Sequence, residues 1–282
     1  MHDDELRTLI ERTATRQCVE QVRALARRSP VTTAQVDELD GGALLWSGPG
    51  RYLNRAVGLG TGTGTPAELL DTVAAFYGDR SAPAMVELGA WHADLAEEAA
   101  RRHAEIRWFR DVFVRELDDV HDRPAPEHPF PIRGVDAGSF EAWRAILAGD
   151  APAGSPARAV SDEFCDAVHH HGDHADQAGH DVDHGNIDLL ARDPDTGAPI
   201  ACGSLHVIDG VGWLGGAATL ATHRRRGAQR ALIVDRIHRA ARAGCRWVAA
   251  TAVPGRGSAR NLLGAGFRLL GTQAVVELPT DR

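Results

Sequence analysis

Residues 213–243 read WLGGAATLATHRRRGAQRALIVDRIHRAARA. Trp213 to Leu220 are small and apolar and suit a strand. From about Ala228, apolar residues at Ala231, Leu232, Val234, Ile237, Ala240 and Ala241 recur at helical spacing, with Arg230, Asp235, Arg236, Arg239 and Arg242 largely on the opposite face. The turn between strand and helix is Arg224-Arg225-Arg226-Gly227-Ala228-Gln229. A helix N-terminus offers unpaired N–H groups and a partial positive charge, and a glycine beside it allows close approach. The arginines before it raise the positive potential further. A pyrophosphate fits such a turn.

Working outward, the helix is followed by a strand, Arg246 to Val253, a Pro-Gly-Arg-Gly turn, a short helix from Ser258 to Ala265, then Gly266-Phe267 and a last strand, Thr272 to Leu278. This order, with Arg224 and Gly227 in the pattern Arg/Gln-x-x-Gly-x-Gly/Ala and Gly-Phe after the second helix, resembles the GCN5-related N-acetyltransferases (GNAT). Gln229 departs from the third place of that pattern. The resemblance implies acetyl-CoA as cosubstrate. Its pyrophosphate would be held by Arg224, Arg225, Arg226, Gly227, Ala228, Gln229 and Arg230, and its pantetheine and thioester by strand N–H groups at Ala218, Thr219 and Leu220. The acceptor would be the amine of a small molecule or a protein. Many family members place a tyrosine, as acid to the leaving thiolate, where this chain has Leu262; Ser258 and Asn261 on the same helix are candidates to hydrogen-bond CoA instead.

The first half repeats the order. Ala84 to Leu88 reads as strand, Asp94 to Ala104 as helix and Arg107 to Leu117 as strand, and RWFRDVFVREL from Arg107 lies without a gap on RLLGTQAVVEL from Arg268. The expected fold class is therefore α/β (α+β): a GNAT-like mixed, mostly antiparallel twisted sheet flanked by helices, built as two tandem halves. Residues 1–120 form the N-terminal half, 121–131 the proline-rich linker and 132–282 the acetyltransferase domain. The first half has no Arg-x-x-Gly turn. In its place stands Gly60-Thr-Gly-Thr-Gly-Thr-Pro66, which lacks the Lys-Ser/Thr of a nucleotide-binding loop and reads as a capped turn with Pro at the first helical position. This half is expected to be degenerate and structural, walling the acceptor pocket.

Other elements follow from punctuation and period. Asp3 to Arg28 reads as helix, interrupted around Thr13 to Thr15. Strands are expected at Ala43–Ser47, Asn54–Leu59 and Ile132–Val135, helices at Ala67–Tyr77, Ser139–Leu147 and Ser161–His170, and a hairpin at Ile187–Arg192 with Ile200–Val207.

With 282 residues and 43% hydrophobic composition, the chain can bury a core in one and a half to two units. A net charge of -8 argues against general nucleic-acid binding. Every basic residue counted is arginine, which reads as the codon bias of a GC-rich, bacterial genome. The scattered Cys18, Cys165, Cys202 and Cys245 form no CxxC pair and fit a reduced compartment. The charged first residues do not make a signal peptide, and no apolar run reaches membrane-spanning length, so the expectation is a cytoplasmic protein without a membrane partner. A homodimer remains open, although a duplicated chain can bury internally the surface that single-domain relatives use to dimerise.

Residues 168–184 (VHHHGDHADQAGHDVDH) hold six of the 14 histidines. His170 and His174, and His180 and His184, are four apart and would share a helix face as metal ligands, but Gly172 and Gly179 interrupt any helix and a solvated loop has the same composition. No metal site is assigned. Acyl transfer also needs a proton acceptor, for which His206, His170 and His174 are candidates. Two rivals stay open: a non-catalytic acyl-CoA-binding regulatory protein, supported by Gln229 and Leu262, and a metal-binding protein using the histidine-rich loop.

Overall fold

The computed structural model describes residues 2–28, 33–120, 127–149 and 186–279, together with 155, 158, 159, 162 and 165. The expected helix end at 166–170, most of the linker and the histidine-rich loop lie outside the described residues. By contacts the chain divides into two units: Met1–Val112 with Ala252–Pro254 and Leu269–Arg282, and Phe113–Thr251 with Gly255–Arg268.

The first unit opens on α1 (Asp3–Arg28), which runs unbroken through Thr13 to Thr15. The Thr13 hydroxyl donates to the Leu9 carbonyl at 2.9 Å, so the β-branched residue is absorbed by a bond to its own helix. Strands β1 (Gln35–Leu39) and β2 (Gly42–Trp46) form a hairpin turned by Asp40 and Gly41, both at positive φ. Strand β3 (Arg55–Val57) continues antiparallel to β2 and meets β4 (Ala84–Gly89) in parallel, with Ala56 opposite Val86. The crossover between β3 and β4 is α2 (Pro66–Gly78), and α3 (Ala93–Arg101) follows β4. Leu70, Val73 and Tyr77 of α2 and Leu95 and Ala99 of α3 pack on Leu44, Ala56, Val86 and Leu88.

The second unit contains β6 (Ile132–Gly134), α4 (Phe140–Ala148), β7 (Asn186–Arg192), β8 (Pro199–Ile208), β9 (Val211–Thr219), α5 (Ala228–Arg242), β10 (Trp247–Ala252, up to Thr251) and α6 (Gly257–Gly264). Strands β6 to β9 form an antiparallel meander, and β9 pairs with β10 in parallel across α5. One face of the meander packs Leu189, Ala191, Ile200 and Ala201 on Ala228, Ala231 and Leu232 of α5. The other packs Leu190 and Cys202 on Phe140, Trp143 and Ile146 of α4.

The architecture is thus mixed α/β, mostly antiparallel and flanked by helices. One placement differs from the in-order expectation. The final strand, β11 (Arg268–Leu278), follows α6 in sequence but pairs antiparallel with β4, Val276 opposite Val86, and from Leu269 onward belongs to the first unit. Strand β5 (Glu105–Glu116) starts in the first unit and ends in the second, where the Leu117 N–H bonds the Arg246 carbonyl at 2.9 Å.

Candidate functional site

The site forms where β9 loses a neighbour. Strands β9 and β10 pair from Val211 opposite Trp247 to Leu214 opposite Ala250. Beyond Leu214, β9 continues for five residues with β8 still alongside, Ala201 opposite Thr219. Val211 to Leu214 are buried, whereas Gly215 to Thr219 are not.

A bulge produces this divergence. Between the pairs Ser204–Gly215 and Cys202–Ala218, β9 spends one more residue than β8. Gly216 takes φ 53 there, a conformation that glycine adopts without steric cost. Beyond the bulge the strand's hydrogen bonds have definite directions. The Leu220 N–H donates to Ile200 O at 3.0 Å, and Ala218, two residues earlier and opposite Cys202, directs its N–H to the same side. The Cys202 thiol donates to Gly216 O at 3.5 Å, and burial pushes its pKa up to about 12, so it is neutral. Alternation then turns the Thr219 N–H to the side from which β10 has departed.

After Thr219 the chain makes a 3-10 turn, Ala221–His223, and enters the arginine-rich segment. The Arg224 Nε donates to Thr219 O at 3.3 Å, Arg225 sits at φ 65, and Gly227 is the helix N-cap at φ 99. No side chain caps α5, and its first turn contains no acid. Its first N–H groups therefore have no partner in the helix and none from a capping side chain. Arg224, Arg225 and Arg226 are exposed beside them, with Arg226 4.0 Å from Asp193. Gln229, the departure from the family pattern, turns away from the cap: its Oε1 accepts from the Thr219 hydroxyl at 3.2 Å, tying the first helical turn to the end of β9. Positive backbone donors at the turn and free strand donors leading to it suit a ligand with an anionic end and an extended amide arm.

On α6, Ser258 is exposed and is not the cap, which is Arg256; Asn261 is half-buried and Leu262 is buried. No phenol stands in this helix, and both tyrosines are in the first unit. His206 is buried on β8, its Nδ1 bonded to the Asn186 side chain. Its neighbour two residues along carries more chemistry. Ser204 donates to Asp188 at 2.6 Å across β7 and β8, and burial raises the Asp188 pKa to about 6, a shift the serine bond only partly opposes. Ser204 is in turn opposite Gly215, where the bulge begins.

Asp188, Gly216 and Arg236 were not singled out from the sequence. A signal existed for each: one acid between the apolar Ile187 and Leu189, the Gly-Gly pair in β9, and an arginine four residues from both Leu232 and Ala240. Arg236 was expected on the exposed face and is fully buried, because it finds carbonyl partners beneath the sheet. His170, His174, His180 and His184 lie outside the described residues. Among the described residues no group of His, Cys, Asp or Glu could hold a metal ion, and no helix is long and apolar enough to cross a membrane.

No protein-family model matches the chain, and no curated protein does. Solved structures do. A GCN5-related N-acetyltransferase from Kribbella flavida superposes with a TM-score of 0.63 at 21% identity, over 94% of this chain and 95% of that one. A tandem GNAT protein from the clavulanic acid biosynthesis pathway superposes at 0.60 with 12% identity, covering 99% of this chain and 97% of its own. A GCN5-related N-acetyltransferase from Sphaerobacter thermophilus gives 0.55 at 18% identity, over 75% and 67% of the two chains. At these identities the likeness is one of fold: the chain has the GNAT fold, and the tandem form matches it along almost its whole length.

Proposed function

We propose that the second unit transfers an acetyl group from acetyl-CoA to the amine of a small molecule or a protein, in a ternary complex. The observation that carries this reading is the uncapped, acid-free N-terminus of α5, flanked by Arg224, Arg225 and Arg226, directly after a strand end that has lost its neighbour. The turn would take the pyrophosphate and the open edge of β9 the pantetheine amides. On this reading the thioester would lie by the bulge.

There the amine nitrogen adds to the thioester carbon. A C–N bond forms, and the carbonyl π pair moves to oxygen, where strand N–H groups stabilise the charge. The oxyanion then collapses, the C–S bond breaks with its electrons on sulphur, and the ammonium proton is removed, giving amide and free thiol after protonation of the thiolate. Leu262 supplies no proton to that thiolate, which leaves unassisted. Asp188, with a pKa of about 6, is the described carboxyl best poised to take the amine's proton at neutral pH. The first unit is a structural half of a tandem chain.

The test is calorimetric titration with acetyl-CoA, followed in the same preparation by thiol release against a panel of amines. Binding with turnover supports the enzyme. Binding without turnover on any amine favours an acyl-CoA-binding regulator, and no binding removes both readings.

A further inference from the structure

Arg236 is 2% exposed on α5, and among the described residues no carboxylate pairs with it. Its guanidinium is held by three carbonyls: Nε donates to Leu232 O at 3.1 Å, and Nη1 donates to both Ser204 O at 3.0 Å and Gly215 O at 3.1 Å. The neighbouring Asp235 is engaged by Arg239 at 2.6 Å. Burial without an acid pulls the Arg236 pKa down to about 10, which still leaves it charged at neutral pH. A desolvated cation without a counterion is costly, and an apolar side chain of similar size would fill the same space without that cost. The sheet is built around it nonetheless: a Cβ on Gly203 would sit 2.9 Å from the guanidinium carbon.

What the cation touches gives it a use. Ser204 and Gly215 are the last pair before the bulge. Because one nitrogen bridges their carbonyls, the Gly215 carbonyl lies on the β8 side. The Gly215–Gly216 peptide is planar and trans, so its N–H points the other way, to the side where pairing with β10 has stopped at Leu214. A positive charge bonded to the carbonyl of a peptide polarises the whole unit and makes its N–H a stronger donor.

We propose that Arg236 is a positioning residue for acyl transfer, which orients the Gly215–Gly216 peptide and, through its charge, strengthens the Gly216 N–H as the donor to the thioester oxygen. This rests on the acetyltransferase reading. It assigns to the buried face of α5 a part in the chemical step, separate from the part its N-terminus plays in binding.

The experiment compares wild type, Arg236→Met and Arg236→Lys by calorimetry with acetyl-CoA, by steady-state kinetics, and by the infrared carbonyl stretch of bound acetyl-CoA labelled with ¹³C at the thioester. In Arg236→Met the dissociation constant for acetyl-CoA stays within about threefold while kcat falls on the order of 10–100-fold. Its bound carbonyl stretch, shifted to lower frequency in the wild type, moves back toward that of free acetyl-CoA. Arg236→Lys, which keeps the charge, recovers most of both. An unchanged stretch in Arg236→Met, or a loss of affinity equal to the loss of kcat, overturns the proposal. If Arg236→Met does not fold, Gly203→Ala, which displaces the guanidinium without removing it, must weaken the stretch shift and kcat together; unchanged values there overturn it as well. Wild type that binds no acetyl-CoA fails the acetyltransferase reading itself, an outcome distinct from any of these.

Discussion

In the first unit, the turn at Gly60–Pro66 is occupied by the chain's own acids. Asp40 accepts from the N–H groups of Gly62 and Gly64 at 3.3 and 2.9 Å, and Thr65 and Glu68 close the start of α2 with a reciprocal capping box. The hydrogen bonds from Thr65 hold the Glu68 carboxyl below its usual pKa. In the second unit, the equivalent turn presents arginines and a helix start that no side chain caps. Charges largely withdrawn from solvent follow the same division. Glu87 of the first unit lies between Arg55, at 2.9 Å, and Arg110. In the second, Asp188 is held by a serine and Arg236 by carbonyls. Both units inherit a device that attracts anions. One satisfies it internally and the other leaves it open; on the proposed function, the open one is the half that takes the ligand.

The largest break in this comparison is Gly227→Trp. At φ 99 a tryptophan is strained, and its ring covers the helix N-terminus, so acetyl-CoA binding is abolished. Arg226→Glu reverses a charge at the same place and acts in the same direction. Calorimetry on folded protein checks both, and surviving affinity would move the pyrophosphate elsewhere. Glu87→Gln probes the balanced half. It leaves the buried Arg55 and the half-buried Arg110 without an acid and costs about 3–5 kcal/mol in urea unfolding, with acetyl-CoA affinity of the folded protein unchanged.

How much of this was legible depended on chain distance. The strand, the arginine turn and α5 are contiguous, and residues 213–243 carried them with the apolar period of Leu232, Ile237 and Ala241. The placement of β11 was not readable, because the pattern from Arg107 and the pattern from Arg268 match without a gap and nothing local says which sheet each joins. The charge of Arg236 points to the solvent face although its spacing from Leu232 and Ala240 puts it on the apolar stripe; its carbonyl partners come from β8, β9 and its own helix, the first two remote in sequence. Asp188 stood out only as an acid among Ile187, Leu189 and Leu190. Its raised pKa depends on burial, which the sequence does not give.

Asp188→Asn sharpens the comparison with a sign. The free carboxyl titrates near 3.9, and in the fold near 6. Between these values the native state holds a proton that the unfolded chain has released. Stability therefore falls as pH rises through this window, and the loss is complete above pH 6. Asparagine keeps an acceptor for Ser204 and removes the buried charge. The variant should match wild type in urea unfolding at pH 4 and exceed it by about 1–3 kcal/mol at pH 8. Turnover should fall and lose its acidic limb near pH 6, the behaviour of a group kept for function at the expense of stability. A variant less stable at pH 8 would mean that Asp188 has a cationic partner and that the second unit is as balanced as the first.

The smallest expected effect is Thr65→Ala. The hydroxyl accepts from the Glu68 N–H at 3.4 Å and donates to its carboxylate at 2.7 Å, so alanine removes half of the capping box and leaves the carboxylate only the N–H of residue 65, at 3.3 Å. The cost is about 1 kcal/mol in unfolding. No acetyl-CoA affinity should appear in the first unit as a result, because Asp40 still occupies the Gly62 and Gly64 donors and no arginine stands in the turn. Opening that site requires Asp40→Ala as well. A double variant that still binds no second acetyl-CoA locates the missing determinant in the absent arginines. One that does bind a second equivalent would show that the chain's own carboxylates, and not the lack of positive charge, are what close this half.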